Sequence, residues 1–145
     1  MDDVDRRLLA ELRRNARASY AELARTVGLS APAVHERVGK LESSGVITGY
    51  HAAIDPAALG RAMNALIGVF ITDDADTDEV AAHLGAVPEI EDCWFVAGEE
   101  TFVIKVSSPD IGGLEKVIRE LNLVPGIART RTTVVLSAKF EDRVH

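Results

Sequence analysis

The most constraining feature of the sequence is the stretch over residues 19–45, SYAELARTVGLSAPAVHERVGKLESSG, in which two helical patterns flank a glycine turn. Ser19 precedes Glu22 by three residues, which is the spacing of a capping box at the start of a helix. Ser30 followed by Pro32 predicts a second helix start, because proline in a first helical turn loses no hydrogen bond. Two helices joined by a short glycine turn form a helix-turn-helix.

A third amphipathic helix is predicted before this pair, with Asp2 or Asp3 placed to cap it. Its apolar residues recur at every fourth position: Val4, Leu8 and Leu12. After the pair, the segment VITGYHAAI over residues 46–54 is rich in strand-forming residues and predicts a short two-stranded wing. We therefore expect a winged helix-turn-helix domain over residues 1–54.

The sequence pattern changes after DPAALGR, residues 55–61, whose proline, glycine and small residues indicate a linker. Residues 62–145 then alternate strand-like and helix-like segments in the order β-α-β-β-α-β. The strand-like segments are residues 63–72, 90–98, 100–108 and 127–141, and the helix-like ones are residues 76–87 and 110–126. This order is that of a ferredoxin-like βαββαβ domain, so we expect a two-domain α+β protein.

The two halves of the chain differ in charge. The formal net charge is −7, which taken alone argues against a nucleic-acid partner. Residues 1–55, however, hold eight basic and eight acidic side chains, whereas the remainder holds eight basic and fifteen acidic ones. Five arginines precede residue 18, and we expect some to bind phosphate and the others to pair with nearby acids: Arg6, Arg7, Arg13, Arg14 and Arg17.

The second helix of the pair has the two sides that a DNA-reading helix needs. Val34, Val38 and Leu41 form an apolar side, while small and polar residues on the other side allow close approach to base edges in the major groove. The DNA-binding candidates are Ser30, Ala31, Pro32, His35, Glu36, Arg37 and Lys40. Arg37 either contacts phosphate or braces the helix, and the alternative for the whole set is a solvated surface.

No catalytic constellation is found in the sequence. The nucleophile elbow, the P-loop and the dinucleotide glycine fingerprint are absent. The four histidines lack metal-ligand spacing: His35, His51, His83 and His145. The single cysteine, Cys93, allows no internal disulfide, and we expect it to be a small buried residue. We therefore expect no enzyme activity, no metal and no cofactor.

The start of the chain, MDDVDRR, is unlike a secretory signal, because it is acidic and then basic. No apolar run reaches the roughly 18–20 residues of a membrane span. We therefore expect a cytoplasmic protein with no membrane partner.

The ordered combination of short motifs resembles the feast/famine, or Lrp/AsnC, family of prokaryotic transcription regulators, over essentially the whole chain. The motifs in the first half are VGLS at 27–30, RV at 37–38, GVI at 45–47 and IDPAALG at 54–60, with Asp5, Leu9, Arg17, Glu22, Leu23, Val34 and Leu41 as single matches. The motifs in the second half are VPEIEDCWFVAG at 87–98 and LVPGIARTRTTVVL at 123–136.

The resemblance implies double-stranded DNA and an amino acid as partners, and a homodimer that assembles into tetramers or octamers. The family pairs its second domains through their sheets. Trp94 and Phe95 lie on opposite faces of one predicted strand, so we expect one to pack on the helices and the other on a partner sheet. The implied function is that of a sequence-specific regulator whose assembly or DNA affinity changes with the effector.

The effector loop of the family commonly reads G-D-x-D, whereas this chain has GEET at 98–101. A carboxylate at this corner holds the ammonium group of an amino acid by charge-assisted hydrogen bonds. The effector candidates are the four loop residues and the two threonines that match the family's T-x-T on the last strand: Gly98, Glu99, Glu100, Thr101, Thr130 and Thr132. The threonines either line the cleft or fill an interface between sheets.

The altered loop leaves other functions open. If GEET is only a polar hairpin corner, the chain is an architectural DNA-binding protein of low specificity without an effector. A second alternative is a small-molecule-binding regulatory module of a metabolic enzyme, which leaves the first half of the chain without a purpose.

Overall fold

The computed structural model describes residues 1–143; residues 144 and 145, the end of the predicted domain 62–145, lie outside the described residues. The chain divides into two compact units. The first unit comprises Met1–Ala53 together with residues 140–143, and the second comprises Ile54–Lys139. A short 3-10 helix, Pro56–Leu59, lies within the segment predicted as a linker.

Three helices form the first unit: α1 (Asp3–Arg14), α2 (Tyr20–Val27) and α3 (Ala31–Ser43). Ser19 and Glu22 form the predicted capping box on α2, and the Ser30 hydroxyl accepts a hydrogen bond from the Ala33 N–H on α3. Gly28 ends α2 with a φ of 76°, a left-handed conformation that glycine adopts without strain. The structure thus confirms the predicted helix-turn-helix.

The core of the first unit is formed by one apolar side from each helix. Leu8 of α1, Leu23 of α2 and Val34 and Val38 of α3 are buried against one another. Because α3 contributes the apolar side that the sequence indicated, its opposite side faces outward.

The predicted two-stranded wing does not form, since residues 46–55 contain no strand. Residues of this segment form hydrogen bonds to the end of α3 and do not pair with each other as two strands. The Ile47 N–H donates to the Leu41 carbonyl at 3.0 Å, and the Tyr50 hydroxyl donates to Glu42 Oε1 at 2.7 Å. Burial and the Glu42 carboxylate raise the pKa of Tyr50 to about 12.

Four strands and two helices form the second unit: β1 (Met63–Ile71), α4 (Thr77–Gly85), β2 (Ile90–Phe95), β3 (Phe102–Ser108), α5 (Ile111–Leu123) and β4 (Ile127–Val135). The strand order in the sheet is β2-β3-β1-β4, and all three pairings are antiparallel. This is the ferredoxin-like α+β fold predicted from the element order.

The last strand is shorter than predicted. It ends at Val135 and does not continue to residue 141. Val135 pairs with Asn64, and the partner strand β1 begins only one residue earlier, at Met63. Beyond this point none of the strands in residues 1–143 remains beside β4 to satisfy its backbone groups.

The two faces of the sheet differ in what covers them. Residues such as Ile67 of β1 and Ile104 of β3 are buried in one cluster with α4 and α5. The opposite face, here called the outer face, is formed by Leu66, Gly68, Phe70, Trp94, Val103, Lys105, Arg129, Arg131 and Thr133. Both helices lie on the first face, so within the second unit no helix covers the outer face.

Trp94 and Phe95 lie on opposite faces, but neither is buried. Trp94 is on the outer face and 46% exposed, whereas Phe95 is on the helix-covered face, opposite Phe102, and 72% exposed. The prediction that one of them packs on the helices is wrong, because β2 is an edge strand. Cys93 is likewise exposed and not buried as predicted, although partial desolvation raises the pKa of its thiol.

Candidate nucleic-acid interface and effector loop

The candidate DNA-binding residues lie on or next to the outward side of α3. Pro32, His35, Glu36 and Lys40 are exposed. A Cβ added at Gly39 meets nothing within 4 Å, so this side of α3 is open at Gly39. A position without a side chain allows a helix to approach the floor of the major groove closely.

The two charged candidates on this side neutralise each other. Lys40 Nζ donates to Glu36 Oε1 at 2.8 Å, one helical turn away, and both side chains are exposed. The hydrogen bond from Lys40 lowers the pKa of the Glu36 carboxyl. An exposed pair of this kind contributes little to stability, so either group is free to exchange its partner for a base edge or a phosphate.

Two further candidates contact other parts of the first unit. The His35 ring meets the Tyr20 ring edge-on with 4.8 Å between centroids, which ties α3 to the start of α2. The Ser30 hydroxyl accepts the Ala33 N–H at 3.3 Å as the helix cap, next to Ala31 in the first turn.

Arg37 braces α3 against the first turn of α1. Its Nη1 atom donates to Asp2 Oδ2 at 2.8 Å and to Asp5 Oδ1 at 2.9 Å. Asp2 and Asp5 themselves form a reciprocal capping box. The backbone N–H of Asp5 and then the Arg37 guanidinium lower the pKa of Asp2 to about 2, and the backbone N–H of Asp2 and then Arg37 lower that of Asp5.

The early arginines divide into paired and unpaired groups. Arg6 pairs with Asp3 at 3.1 Å and Arg14 with Glu11 at 3.6 Å, as expected for some of them. Arg7 Nη2 donates to the Thr26 carbonyl at 2.5 Å and so holds α1 to α2. Among the residues that the structure describes, Arg13 and Arg17 form no ion pair and remain available to phosphates.

The candidate effector loop, residues 98–101, lies between β2 and β3. Its ends are fixed by hydrogen bonds from the Val96 N–H to the Thr101 carbonyl at 3.0 Å and from the Thr101 N–H to the Val69 carbonyl at 2.9 Å. Gly98 and Glu99 are exposed at the tip. Glu100 turns onto the outer face, where it forms an ion pair with Arg131.

The structure does not bring all the effector candidates together. Thr130 and Thr132 are paired with Val69 and Ile67, whose side chains are buried under the helices. Directly paired residues share a face, so both threonines lie on the helix-covered face and Glu100 lies on the other. Arg131 was not among the candidates predicted from the sequence. The alternation of side chains along a strand nevertheless places it on the face opposite to that of Thr130 and Thr132.

The described part of the chain holds no group of three or more metal-binding side chains positioned to share an ion. No helix among residues 1–143 is long and apolar enough to cross a bilayer.

A DNA-reading helix-turn-helix followed by a ferredoxin-like domain defines a two-domain transcription regulator. Family models match both parts: an AsnC-type helix-turn-helix domain over residues 1–42 and a Lrp/AsnC ligand binding domain over residues 64–144. The chain belongs to the Lrp/AsnC family of transcriptional regulators. It is therefore a DNA-binding regulator and not an enzyme.

Relatives match along nearly the full chain. The regulator LrpA of Mycobacterium tuberculosis is 39% identical over 145 residues, covering 100% of this chain and 96% of the relative. Regulatory protein AsnC of Escherichia coli is 33% identical, covering 94% and 90%. The structure of a feast or famine regulatory protein from Mycobacterium tuberculosis, complexed with L-methionine, superposes with a TM-score of 0.93 at 39% identity, covering 99% and 97%.

Proposed function

We propose that this regulator reads specific double-stranded DNA with the outward side of α3 and that an amino acid changes its assembly or its DNA affinity. The observation that carries the DNA part is the outward side of α3, where Pro32, Glu36 and Lys40 are exposed at successive turns and Gly39 leaves open space beside Lys40. The relative that binds L-methionine supports the effector part. A regulator of this kind acts where the genome is, so we infer a cytoplasmic location.

We assign distinct roles to the candidates on α3. Ser30, Ala31 and Pro32 lie at the helix start, the part of a recognition helix that comes closest to base edges. His35 and Glu36 test base edges, with Glu36 suited to accept from the amino group of cytosine. Lys40 and the unpaired arginines of the first unit bind phosphates, which adds affinity without sequence information.

The Lys40→Ala variant tests the phosphate contact. We expect weaker operator binding and a salt slope of log affinity that flattens by about 1, the change for one lost phosphate contact. Fluorescence anisotropy on DNA from upstream of the gene, measured across salt concentrations, gives both quantities. The matched control is Lys116→Ala on α5, which is expected to leave both unchanged; an unaltered slope in Lys40→Ala would contradict a phosphate role.

The same assay tests the whole proposal with shuffled DNA and with each common amino acid. Selective binding that one amino acid shifts supports both parts. Equal binding to shuffled DNA overturns sequence-specific recognition and favours an architectural protein. Selective binding that no amino acid changes overturns the effector part alone.

We further propose that the protein is a homodimer joined through the outer face and that dimers assemble into tetramers or octamers. Leu66 on β1 is 40% exposed in mid-strand, and Trp94 on β2, two strands away on the same face, is 46% exposed, although both are large and apolar. Exposed apolar area of this kind marks an interaction surface. A dimer also doubles the phosphate contacts of a first half that carries no net charge.

The Leu66→Glu variant is expected to dissociate this dimer, because it replaces a large apolar side chain of the proposed interface by a charged one. Light scattering measures the mass, and circular dichroism checks that the monomer stays folded. Leu123→Glu, on an exposed position of α5, is the control that keeps the parent mass. A folded Leu66→Glu protein of unchanged mass would place the interface elsewhere.

We also propose functional boundaries at residues 1–54 for DNA binding, 55–61 for the linker and 62–145 for assembly and effector binding. The division of the contacts after Ala53 supports the first boundary. The 3-10 helix Pro56–Leu59 indicates that the linker is partly ordered.

A further inference from the structure

The two adjacent acids of the effector loop have different surroundings. Glu99 is exposed and has no ion pair or hydrogen-bonding partner among the described residues. The Glu100 side chain is only 15% exposed and bonds the guanidinium of Arg131. The two acids are neighbours in the sequence and looked equivalent there. In the fold, Glu100 lies on the outer face and is paired, whereas Glu99 is exposed and unpaired.

A glycine makes this ion pair possible. Gly68 lies in β1 directly between Val103 of β3 and Arg131 of β4. A Cβ built on Gly68 would stand 2.6 Å from Glu100 Cγ and 3.1 Å from Glu100 Oε1. The missing side chain therefore leaves a trough in the outer face, and Glu100 crosses β1 along it to reach β4.

Arg131 lies near an aromatic ring on the same face. Its guanidinium carbon lies 6.0 Å from the centre of the Phe70 ring, and Arg129 stacks on that ring at 3.6 Å. The Arg131 side chain is 59% exposed, and Glu100 is its ion-pair partner among the described residues.

We propose that Glu100, Gly68 and Arg131 form a latch that positions the 98–101 loop, and that Glu99 alone receives the ammonium group of the effector. Glu100 is then a positioning residue. A ligand ammonium would have to displace a guanidinium from a mostly buried carboxylate, whereas the Glu99 carboxylate is solvated and unpaired. The role of Glu99 rests on the proposed effector function; the latch itself does not.

Hydrogen exchange of the full-length protein tests the latch without any effector. Glu100→Gln and Arg131→Gln are each expected to speed amide exchange in the peptide over residues 96–101 by roughly threefold, as expected for loss of a partly exposed ion pair. The double variant is expected to match either single variant, because both remove one interaction. Glu99→Gln is the matched control and leaves the exchange unchanged.

The Gly68→Ala variant is an independent test that removes no charge. Its added methyl group is expected to displace Glu100 from the trough and to speed exchange in the same peptide. Circular dichroism of each variant confirms that the sheet remains folded, and light scattering confirms that the parent mass is kept, since Gly68 and Arg131 lie on the face proposed to join the dimer. Unchanged exchange in both Glu100→Gln and Arg131→Gln, or additive effects in the double variant, would refute the latch.

Titration calorimetry with L-methionine, and with any amino acid that shifts DNA binding, tests the division of roles. Glu99→Gln is expected to lose binding, whereas Glu100→Gln is expected to retain it with weaker affinity. Loss in Glu100→Gln with full retention in Glu99→Gln would reverse the assignment. If the parent protein binds no amino acid, the effector function and the role of Glu99 both fail, while the exchange data still decide the latch.

Discussion

Replacing Leu8 by alanine is expected to unfold the first unit and abolish DNA binding while Ile54–Lys139 stays folded. Leu8 is fully buried and lies in the core that all three helices share. Truncating a buried leucine costs roughly 2–5 kcal/mol. A core of a domain below about 70 residues supplies only about 3–5 kcal/mol, so the loss removes most of the stability of this unit.

Hydrogen exchange of the full-length Leu8→Ala protein separates the two units. Amides of residues 1–53 are expected to lose protection, whereas those of β1, β3 and α5 keep it, and DNA binding disappears in parallel. Leu123→Ala is the matched control, because the same truncation at a side chain that is 82% exposed leaves no cavity. Retained protection of α1 to α3 would mean that the helices are stabilised by something other than this shared core.

Replacing Arg37 by alanine is expected to lower the melting temperature and the operator affinity while leaving the salt slope of DNA binding unchanged. The guanidinium joins α3 to both carboxylates of the cap on α1. Without it, two carboxylates face each other and α3 loses its brace. A phosphate contact would flatten the salt slope by about 1, so this measurement separates bracing from phosphate binding.

The Arg37→Ala variant is also expected to change how the stability of the first unit depends on pH. The folded pKa of Asp2 is about 2, below its ordinary 3.8, and that of Asp5 is also lowered. Depressed carboxyl pKa values give stability that is present above the ordinary pKa and is lost as the pH falls through the folded pKa. Removing Arg37 takes away one of the causes and raises the folded pKa values toward the ordinary one, so the variant is expected to lose less stability on acidification, and its loss is expected to end at a higher pH.

Melting curves from pH 7 down to pH 2.5 measure this shift. Lys116→Ala on α5 is the matched control, since it removes a cation from an exposed helical ion pair but not from the cap. It is expected to keep both the parent pH profile and the parent salt slope. An Arg37→Ala protein with the parent pH profile would show that Arg37 does not stabilise the ionised cap.

Most helix boundaries were predictable because their signals are local. Ser19 with Glu22, and Ser30 with Pro32, act through hydrogen bonds within one helical turn, so the residues that specify each cap are neighbours in sequence. The order of strands and helices was equally readable, since each strand shows its own apolar pattern. The wing was not predictable, because strand-forming residues around Gly49 form strands only where a partner strand is present.

The candidate sites likewise divide into features set by nearby residues and features set by distant ones. The sequence alone determined the helix-turn-helix, the outward side of α3 and the order of the ferredoxin-like elements, because repeats of two and of 3.6 residues act over short distances. Only the tertiary structure decided that Arg37 bonds Asp2 across 35 positions and that Glu100 crosses Gly68 to reach Arg131. Such contacts depend on which strands and helices become neighbours in space. The sequence around one residue therefore does not predict a partner that lies more than 30 positions away.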